Sequence, residues 1–407
     1  MLRIAILGCG ARGRTYASMM GQLKERYQIM ATCDLVESRA REAASHATEE
    51  IPVFTNDEAF FQQGKVADLL IIATQDRNHY GHALRAMELG YDILLEKPAA
   101  QTLEQCEHLD QVAKEKGRKI GLCFVLRYTP FYRAVRDFLD SGRLGKVISM
   151  HASEGVEPYH QAHSFVRGHW AKTGDCTPMI LAKCSHDTDL LCWFAGSEIK
   201  HVSSYGRLEF FNKKNAPQGA PMRCSDGCEH RSTCMYDAHH YLGEKRRWLR
   251  MVMDGSETAT DEQIMNFIQT SPWGRCVFHC DNDAVDHQVI SGEMKNGVSV
   301  TFSMTAFDLG RSIEIYGTKG SLKGGLPWQV AGAHELWFRD HSTGEKEDVP
   351  VIHADEIGYA GHGGGDFGII DSLDKLFGDS GILSPGLDGL AGHQFALLAE
   401  RDRLSDV

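Results

Sequence analysis

The sequence predicts an α/β protein in two parts: an N-terminal doubly wound parallel sheet over residues 1–125, then an α/β domain over 126–407 carrying a large, mostly antiparallel open sheet. Three observations predict this. Short apolar runs alternate with helical patterns through the first 125 residues, the signature of strand–helix–strand units. One of those runs, ADLLIIAT at 67–74, is apolar enough to be buried on both faces, as strands of parallel sheets are. Beyond residue 125 the segments alternate or turn β-branched, as strands with one covered face do. A chain of 407 residues also exceeds the usual size of one core.

The first element is the apolar run Ile4 to Leu7, which feeds Gly8, Gly10 and Gly13 in the spacing G-x-G-x-x-G before a helical stretch to Met20. In such a strand–turn–helix unit the first glycine permits the turn, the second lets a pyrophosphate approach the backbone, and the third lets helix and strand pack closely. The helix N-terminus then offers unpaired N–H groups to the phosphates, and Ala11 and Arg12 lie inside that loop. A second run, Tyr27 to Cys33, ends at Asp34, 21 positions after Gly13, where an acidic residue hydrogen-bonds the adenosine ribose. A carboxylate there repels a 2′-phosphate, so NAD is expected over NADP; Arg39, five residues on, is the side chain that could swing to a 2′-phosphate.

Helical patterns follow over 40–48 and 56–63, the latter capped by Asn56, with a short strand at 51–54 between them. After the strand ending at Thr74 comes a loop and helix containing His79 and closed by Gly90. Strand Ile93 to Leu95 runs into Glu96, Lys97 and Pro98; a helix spans Leu103 to Lys116 before Gly117, and a strand spans Lys119 to Val125. Ligands of doubly wound sheets bind off the carboxyl ends of the strands. One cleft is therefore expected to gather Gly8 to Gly13, Asp34, Thr74, His79, Glu96, Lys97, Arg127 and Tyr128.

In the second part Phe131 to Asp140 reads as a linking amphipathic helix, and 146–153, 288–294, 298–305 and 312–316 read as strands. Asn296-Gly297 between two of them signals a hairpin. Residues from about 208 to 275 are polar and irregular and read as an insertion.

Hydrophobic residues at 42% and charged ones at 24% describe an ordinary soluble protein, and a net charge of −12 speaks against nucleic acid or an anionic membrane as a partner. No apolar run reaches the length of a membrane span and no leader precedes the first strand, so the expected location is the cytoplasm. Twelve cysteines in such a chain imply free thiols or a metal rather than a disulfide framework.

With GCGARG, ATQDRNH, LLEKP and KCSHDTDLL on the page, the chain resembles the glucose-fructose oxidoreductase/inositol dehydrogenase/MocA family, clearly over the first 200 residues and loosely beyond. The resemblance implies a Rossmann domain joined to an open α/β domain whose sheet backs the active site and often forms the oligomer interface, here a dimer or tetramer. It implies hydride chemistry on sugar or polyol carbons with NAD(P), or, in a few members, glycoside cleavage with a recycled cofactor. Lys97 would then touch both the nicotinamide ribose and the reacting hydroxyl, and the peptide bond before Pro98 is often cis. His186 matches the histidine of the family's D-x-x-x-H pair, but Ala182 stands where the aspartate belongs, followed by Lys183.

Oxidising a carbinol requires a base for the hydroxyl proton, and imidazole suits neutral pH, so His186 is the candidate base. Charge and orientation must then come from Lys183 or from Asp189, one helical turn on; Asp189 is equally readable as a structural carboxylate. Tyr128 beside the nicotinamide position is a candidate acid. In EGVEPYHQAHSFVRGHW, Tyr159, His163, Arg167 and Trp170 suit a hydroxyl-rich ligand, where an aromatic face stacks and charged groups hydrogen-bond. His362 and Asp366 in GHGGGDF are further candidates, although Asp366 is also readable as a helix cap.

Cys224, Cys228 and Cys234 form C-x3-C-x5-C in the insertion, which suggests a structural zinc site completed by Cys276 or Cys280; an iron–sulfur cluster and free thiols are the other readings. The functional expectation is an NAD-dependent oxidoreductase acting on a sugar, polyol or glycoside. The alternative is a redox glycosidase with tightly bound NAD, because that chemistry needs more acid/base groups and Ala182 and Lys183 depart from the dehydrogenase pattern. A non-catalytic sensor of NAD or a metabolite is the third class.

Overall fold

The computed structural model describes residues 1–326, 336–378 and 380–405. Its first layer is a sheet of seven parallel strands among the described residues, in the order β15-β6-β5-β4-β1-β2-β3. The chain enters it as β1 (Leu2–Leu7), α1 (Ala11–Met20), β2 (Tyr27–Cys33), α2 (Glu37–Ala44), β3 (Val53–Phe54), α3 (Asp57–Phe61), β4 (Leu69–Ile72), α4 (Asp76–Glu88), β5 (Asp92–Leu95), α5 (Leu103–Lys116) and β6 (Lys119–Leu122). Local chemistry sets the bounds. Asn56 accepts from Ala59 N to open α3, Thr102 accepts from Gln105 N to open α5, and Gly117 at φ 63° closes α5 in the left-handed region. Every residue of β4 is buried, as its apolar run requires.

β6 ends at Leu122, three residues before the strand read from the sequence, because Val125–Tyr128 turns as a 3-10 helix that aims Arg127 out of the sheet. The linking helix α6 (Pro130–Asp140) follows, its Thr129 accepting from Tyr132 N. Next come β7 (Val147–Val156), α7 (Pro158–His160) continued by a π-helix over Gln161–Val166, α8 (Met179–Ala182), α9 (Ser185–Ala195) and β8 (Ile199–Arg207). The insertion contributes α10 (Asp261–Thr270) and short 3-10 turns around two small apolar cores of its own. The second sheet is completed by β9 (His287–Met294), β10 (Ser299–Thr305), β11 (Leu309–Gly317), β12 (Gly320–Leu326), β13 (Leu336–Asp340) and β14 (Lys346–Asp348).

That sheet has eight strands among the described residues, ordered β14-β13-β12-β11-β7-β10-β9-β8, antiparallel except for the β7–β10 pair. Gly297 at φ 86° makes the β9–β10 hairpin turn. The last stretch crosses back: α11 (Gly365–Asp371) and α12 (Leu373–Phe377) pack Ile369, Ile370 and Leu373 against Ile4, Ile6 and Tyr16. β15 (Gly386–Asp388) then pairs with β6, and α13 (Leu390–Ser405) returns to the second domain beside α9 and β8. The chain thus passes between the two sheets more than once.

Candidate active site

The glycine loop is built for close approach. A Cβ on Gly8, at φ 94°, would lie 2.5 Å from the Ala73 carbonyl, and one on Gly13 would lie 2.0 Å from the Gly8 oxygen, so neither position admits a side chain. A Cβ on Gly10 would meet nothing within 4 Å: the open face is the one a pyrophosphate needs. Asp34 is set at the neighbouring strand end by Cys9 N, which donates to Oδ2 at 2.7 Å, and Val36 N, which donates to Oδ1 at 2.8 Å. This cradle fits a dinucleotide. Arg39 donates to Asp254 of the insertion, at 2.7 Å from Nη2, and Arg14 stands 3.7 Å from the same carboxylate.

The remaining cofactor-side residues divide. Arg12 donates to Glu96 at 2.7 Å and to Asp366 at 2.8 Å, and Tyr16 donates to Glu96 at 2.6 Å. Burial alone would raise the Glu96 pKa, but Arg12, Lys97 and these hydrogen bonds hold it below the ordinary carboxylate range. Glu96 is thereby an anchor for Arg12 and Lys97 N rather than a free ligand. His79 is likewise occupied, its ring nitrogens facing the Pro98 carbonyl at 2.6 Å and the Thr74 carbonyl at 3.1 Å. It fixes the loop that carries Lys97, and the Thr74 hydroxyl contacts His82 at 3.1 Å. The Lys97–Pro98 bond is cis.

Lys97 reaches across the domain seam. Its Nζ donates to the Ala182 carbonyl at 2.7 Å, the last residue of α8, so the residue that replaces the family's aspartate still contributes an oxygen, from the backbone. Burial lowers the Lys97 pKa, partly offset by Glu96 and Asp76 and reinforced by Lys183 and Arg12. His186, in the first turn of α9, is 6% exposed, with Nδ1 buried and unpartnered. Burial, then Lys97, Arg311, His362 and Lys183, push its pKa well below 6.5, so the ring is neutral and able to accept a proton. His362 lies with its ring centroid 6.4 Å from that of His186, at φ 45°, and Asp366 faces its Nδ1 at 2.8 Å.

Behind His186, the candidate Lys183 stands in an ionic group whose other members, Glu154, Arg311 and Asp187, sequence reasoning missed. Lys183 Nζ lies 3.1 Å from Glu154, Arg311 Nε lies 2.7 Å from Glu154, and the same nitrogen lies 2.7 Å from Asp187. Glu154 and Arg311 face each other across the β7–β11 ladder. Burial raises the Glu154 pKa against the pull of Arg311 and Lys183. The only available signal was charge at core-facing strand positions, legible once register is known.

Several expected substrate residues lie elsewhere, which corrects their assignment. Asp189 takes Arg127 through both oxygens, at 2.5 and 2.6 Å, and Arg127 also meets Asp388 at 3.2 Å, so Asp189 pins the domain seam. His163 is buried, faces the Tyr241 hydroxyl at 2.6 Å and packs against Trp248 and Trp273; burial, with Arg167 and His169, pushes it down to about 3. Arg167 donates to the carbonyls of Arg275 and Tyr236, and Tyr159 packs edge-on against Tyr241. All three serve the insertion's core. Tyr128 lies under the Arg133 guanidinium, and burial raises its pKa. Trp170 remains on the cleft: with Gln75, Asp76, Arg77, His169, Asp175 and Cys176 it lines a cavity of about 540 Å³, its Nε1 donating to Asp76 at 3.1 Å. That volume suits a small ligand. Cys224, Cys228, Cys234 and Cys276 come together around another cavity, but among the described residues no three ligating groups stand close enough to hold an ion as placed.

Comparison with known proteins agrees with this fold. Residues 2–124 match the family model described as the NAD-binding Rossmann fold of the GFO/IDH/MocA oxidoreductases, and residues 132–323 match the GFO/IDH/MocA C-terminal domain. The chain is 24% identical over 396 residues to the putative oxidoreductase YteT of Bacillus subtilis, covering 90% of this chain and 88% of that one. Inositol 2-dehydrogenase 2 of Saccharopolyspora erythraea is 28% identical over 208 residues, 50% of this chain and 57% of the relative. Among solved structures, an oxidoreductase domain protein from Kribbella flavida superposes with a TM-score of 0.69 at 17% identity, covering 100% of this chain and 98% of that one. A scyllo-inositol dehydrogenase from Lactobacillus casei with bound NAD(H) and scyllo-inositol gives 0.64 at 17%, with the same coverage.

Proposed function

The chain belongs to the GFO/IDH/MocA oxidoreductase family, and from that premise we propose that it oxidises a carbinol of a sugar, polyol or glycoside with NAD. The observation that carries this is Lys97: a half-buried side chain just beyond the end of β5, its Nζ held by Ala182 O at 2.7 Å and its charge acting on the neutral ring of His186. The inositol dehydrogenases among the relatives support a polyhydroxylated substrate.

Bound nicotinamide supplies the hydride acceptor. The chain supplies the rest. Lys97 Nζ exchanges its carbonyl partner for the substrate oxygen and stabilises the charge that develops on it. His186 takes the hydroxyl proton. Lys97, Arg311 and Lys183 oppose a lasting charge on the ring, so the proton goes on from the ring to solvent, and the same positive field favours the alkoxide. Trp170 and Asp76 offer a stacking face and a hydrogen-bond acceptor at the cleft mouth. Exposed Ile148, Tyr205 and Val289 on the second sheet support a homo-oligomer, which we place in the cytoplasm.

The second reading, a redox glycosidase with recycled NAD, is favoured by one observation, the Lys183–Glu154 pair at 3.1 Å beside Ala182. It offers a second acid/base pair where elimination and water addition require one. Incubation with free polyols, sugars and aryl glycosides separates the two. The first reading expects NADH formed one for one with oxidised product; glycoside cleavage without added NAD, lost when bound cofactor is stripped, overturns it in favour of the second.

Cofactor choice gives a further prediction. Arg39, the cation that could swing to a 2′-phosphate near Asp34, is held by Asp254. Asp254→Asn releases it, and the KM for NADP⁺ is expected to fall about tenfold while that for NAD⁺ moves less than about threefold. An unchanged KM for NADP⁺ would show that Arg39 does not reach the ribose.

A further inference from the structure

One cluster takes no part in the chemistry above. The thiols of Cys224, Cys228, Cys234 and Cys276 line a single cavity of about 20 Å³ together with Arg167 and Arg223. Two segments of the insertion bring them there. Cys224 N donates to Gly274 O at 3.0 Å, Cys276 N donates to Met222 O at 2.9 Å, and Arg223 bridges Arg275, so a short antiparallel pairing sets Cys224 beside Cys276. Cys228 and Cys234 lie further along the first segment, in the C-x3-C-x5-C spacing.

Arg167 is the second, independent observation. It is 4% exposed; Nη2 reaches Tyr236 O at 2.7 Å and Cys224 Sγ at 3.5 Å, while Nη1 is buried without any partner. Among the described residues it pairs with no carboxylate, and Arg223 adds a second buried, unpartnered nitrogen, Nε, to the same wall. A buried guanidinium needs an opposing charge. Neutral thiols supply none. Thiolates do, and four of them crowded together are held in that form by a metal ion.

We propose that Cys224, Cys228, Cys234 and Cys276 bind one zinc ion as a tetrathiolate whose net charge of minus two is balanced by Arg167 and Arg223. The cavity, about 20 Å³, has room for one water-sized body, which fits a single ion. The sulfurs stand around that point rather than at bonding distance, so loading draws both segments inward to Zn–S separations of about 2.3 Å. Each thiol releases its proton to solvent as its sulfur–metal bond forms, and no electron moves. Because Arg167 directly follows the π-helix over Gln161–Val166, the ion would staple the insertion to the segment that leads to Trp170 at the cleft.

The test is elemental analysis of the full chain purified from zinc-supplemented medium. About one zinc per chain is expected, falling at least tenfold in Cys228→Ser and unchanged in Cys280→Ser, whose thiol bonds to Cys276 O instead. Should Cys228→Ser fail to fold, cobalt added to the metal-stripped wild-type chain must give the visible absorption of a tetrahedral cobalt thiolate. Wild-type protein that takes up neither zinc nor cobalt overturns the proposal. So does iron with labile sulfide at several atoms per chain, or loss of the ion in Cys280→Ser.

Discussion

Lys97→Met is expected to lower kcat by roughly a thousandfold or more while leaving the dissociation constant for NAD⁺ within about threefold of the wild-type value. The two parts of this expectation have separate causes. The glycine cradle and Asp34 are set by backbone contacts of Gly8, Gly13, Cys9 and Val36, none of which involves Lys97. The Lys97 ammonium, by contrast, is carried past the end of β5 to the Ala182 carbonyl, and in its absence the developing alkoxide faces His186 without that cation. Methionine fills the same volume, so folding loses little beyond the unpaired Ala182 carbonyl, about 1–2 kcal/mol. Lys97→Arg should not restore the rate, since a planar fork cannot replace a compact ammonium between Glu96 and Ala182. A kcat within tenfold of wild type, measured with saturating NAD⁺, would remove Lys97 from the reacting centre. The companion variant Lys183→Met separates the two functional readings: a dehydrogenase, in which Lys183 is the smallest of the charges acting on His186, should keep kcat within about tenfold, whereas a glycosidase should lose turnover.

What was legible in the sequence was what is local. The strand–turn–helix of the glycine loop, the caps of α3 and α5, the buried run of β4 and the Asn296-Gly297 turn all depend on neighbours a few residues away. What was not legible depends on register and on distant returns of the chain. β15 is three residues long and carries no periodicity, yet it adds a strand to the first sheet beside β6 and delivers Asp388 to Arg127. Glu154 and Arg311 become an ion pair only through the pairing of β7 with β11. By composition His163 and Arg167 suit a sugar, as histidines, aromatics and arginine in one loop do. The insertion supplies Tyr241, Trp248 and Tyr236 to bury them, and composition alone says nothing of which partner arrives first. Polar residues of one stretch therefore went three ways: Glu154 behind the site, Trp170 onto the cleft, His163 and Arg167 into a satellite core.

The same burial makes the fold acid-sensitive, with an expected loss of about 2–3 kcal/mol of unfolding free energy per pH unit between pH 6.5 and 5. Four enclosed histidines drive it. Burial first, then nearby cations and other histidines, lower His160 and His186 far below 6.5 and push His163 and His393 down to about 3. Above pH 6.5 these rings are neutral both folded and unfolded, and nothing is at stake. Below it the unfolded chain takes up protons that the native one refuses, so each ring costs about 1.4 kcal/mol per pH unit. Two carboxyls act in the opposite sense. Burial raises Asp189 to about 6 in spite of Arg127, and raises Glu154 as well, so the native state takes up protons there before the unfolded state does. More protons are refused than accepted over this range, so stability falls with the pH. Glu96 and Asp366, held low by Arg12 and their other partners, add their own loss only as the pH falls through the unfolded carboxylate range near 4. Urea unfolding midpoints from pH 7 to 5 measure the slope. His393→Gln should reduce it by about one proton, since His393 Nε2 now accepts from Ala99 N at 2.9 Å and a protonated ring could not. A midpoint that stays level over that range would mean that these rings are protonated in the native protein, and would leave His186 unable to serve as the base.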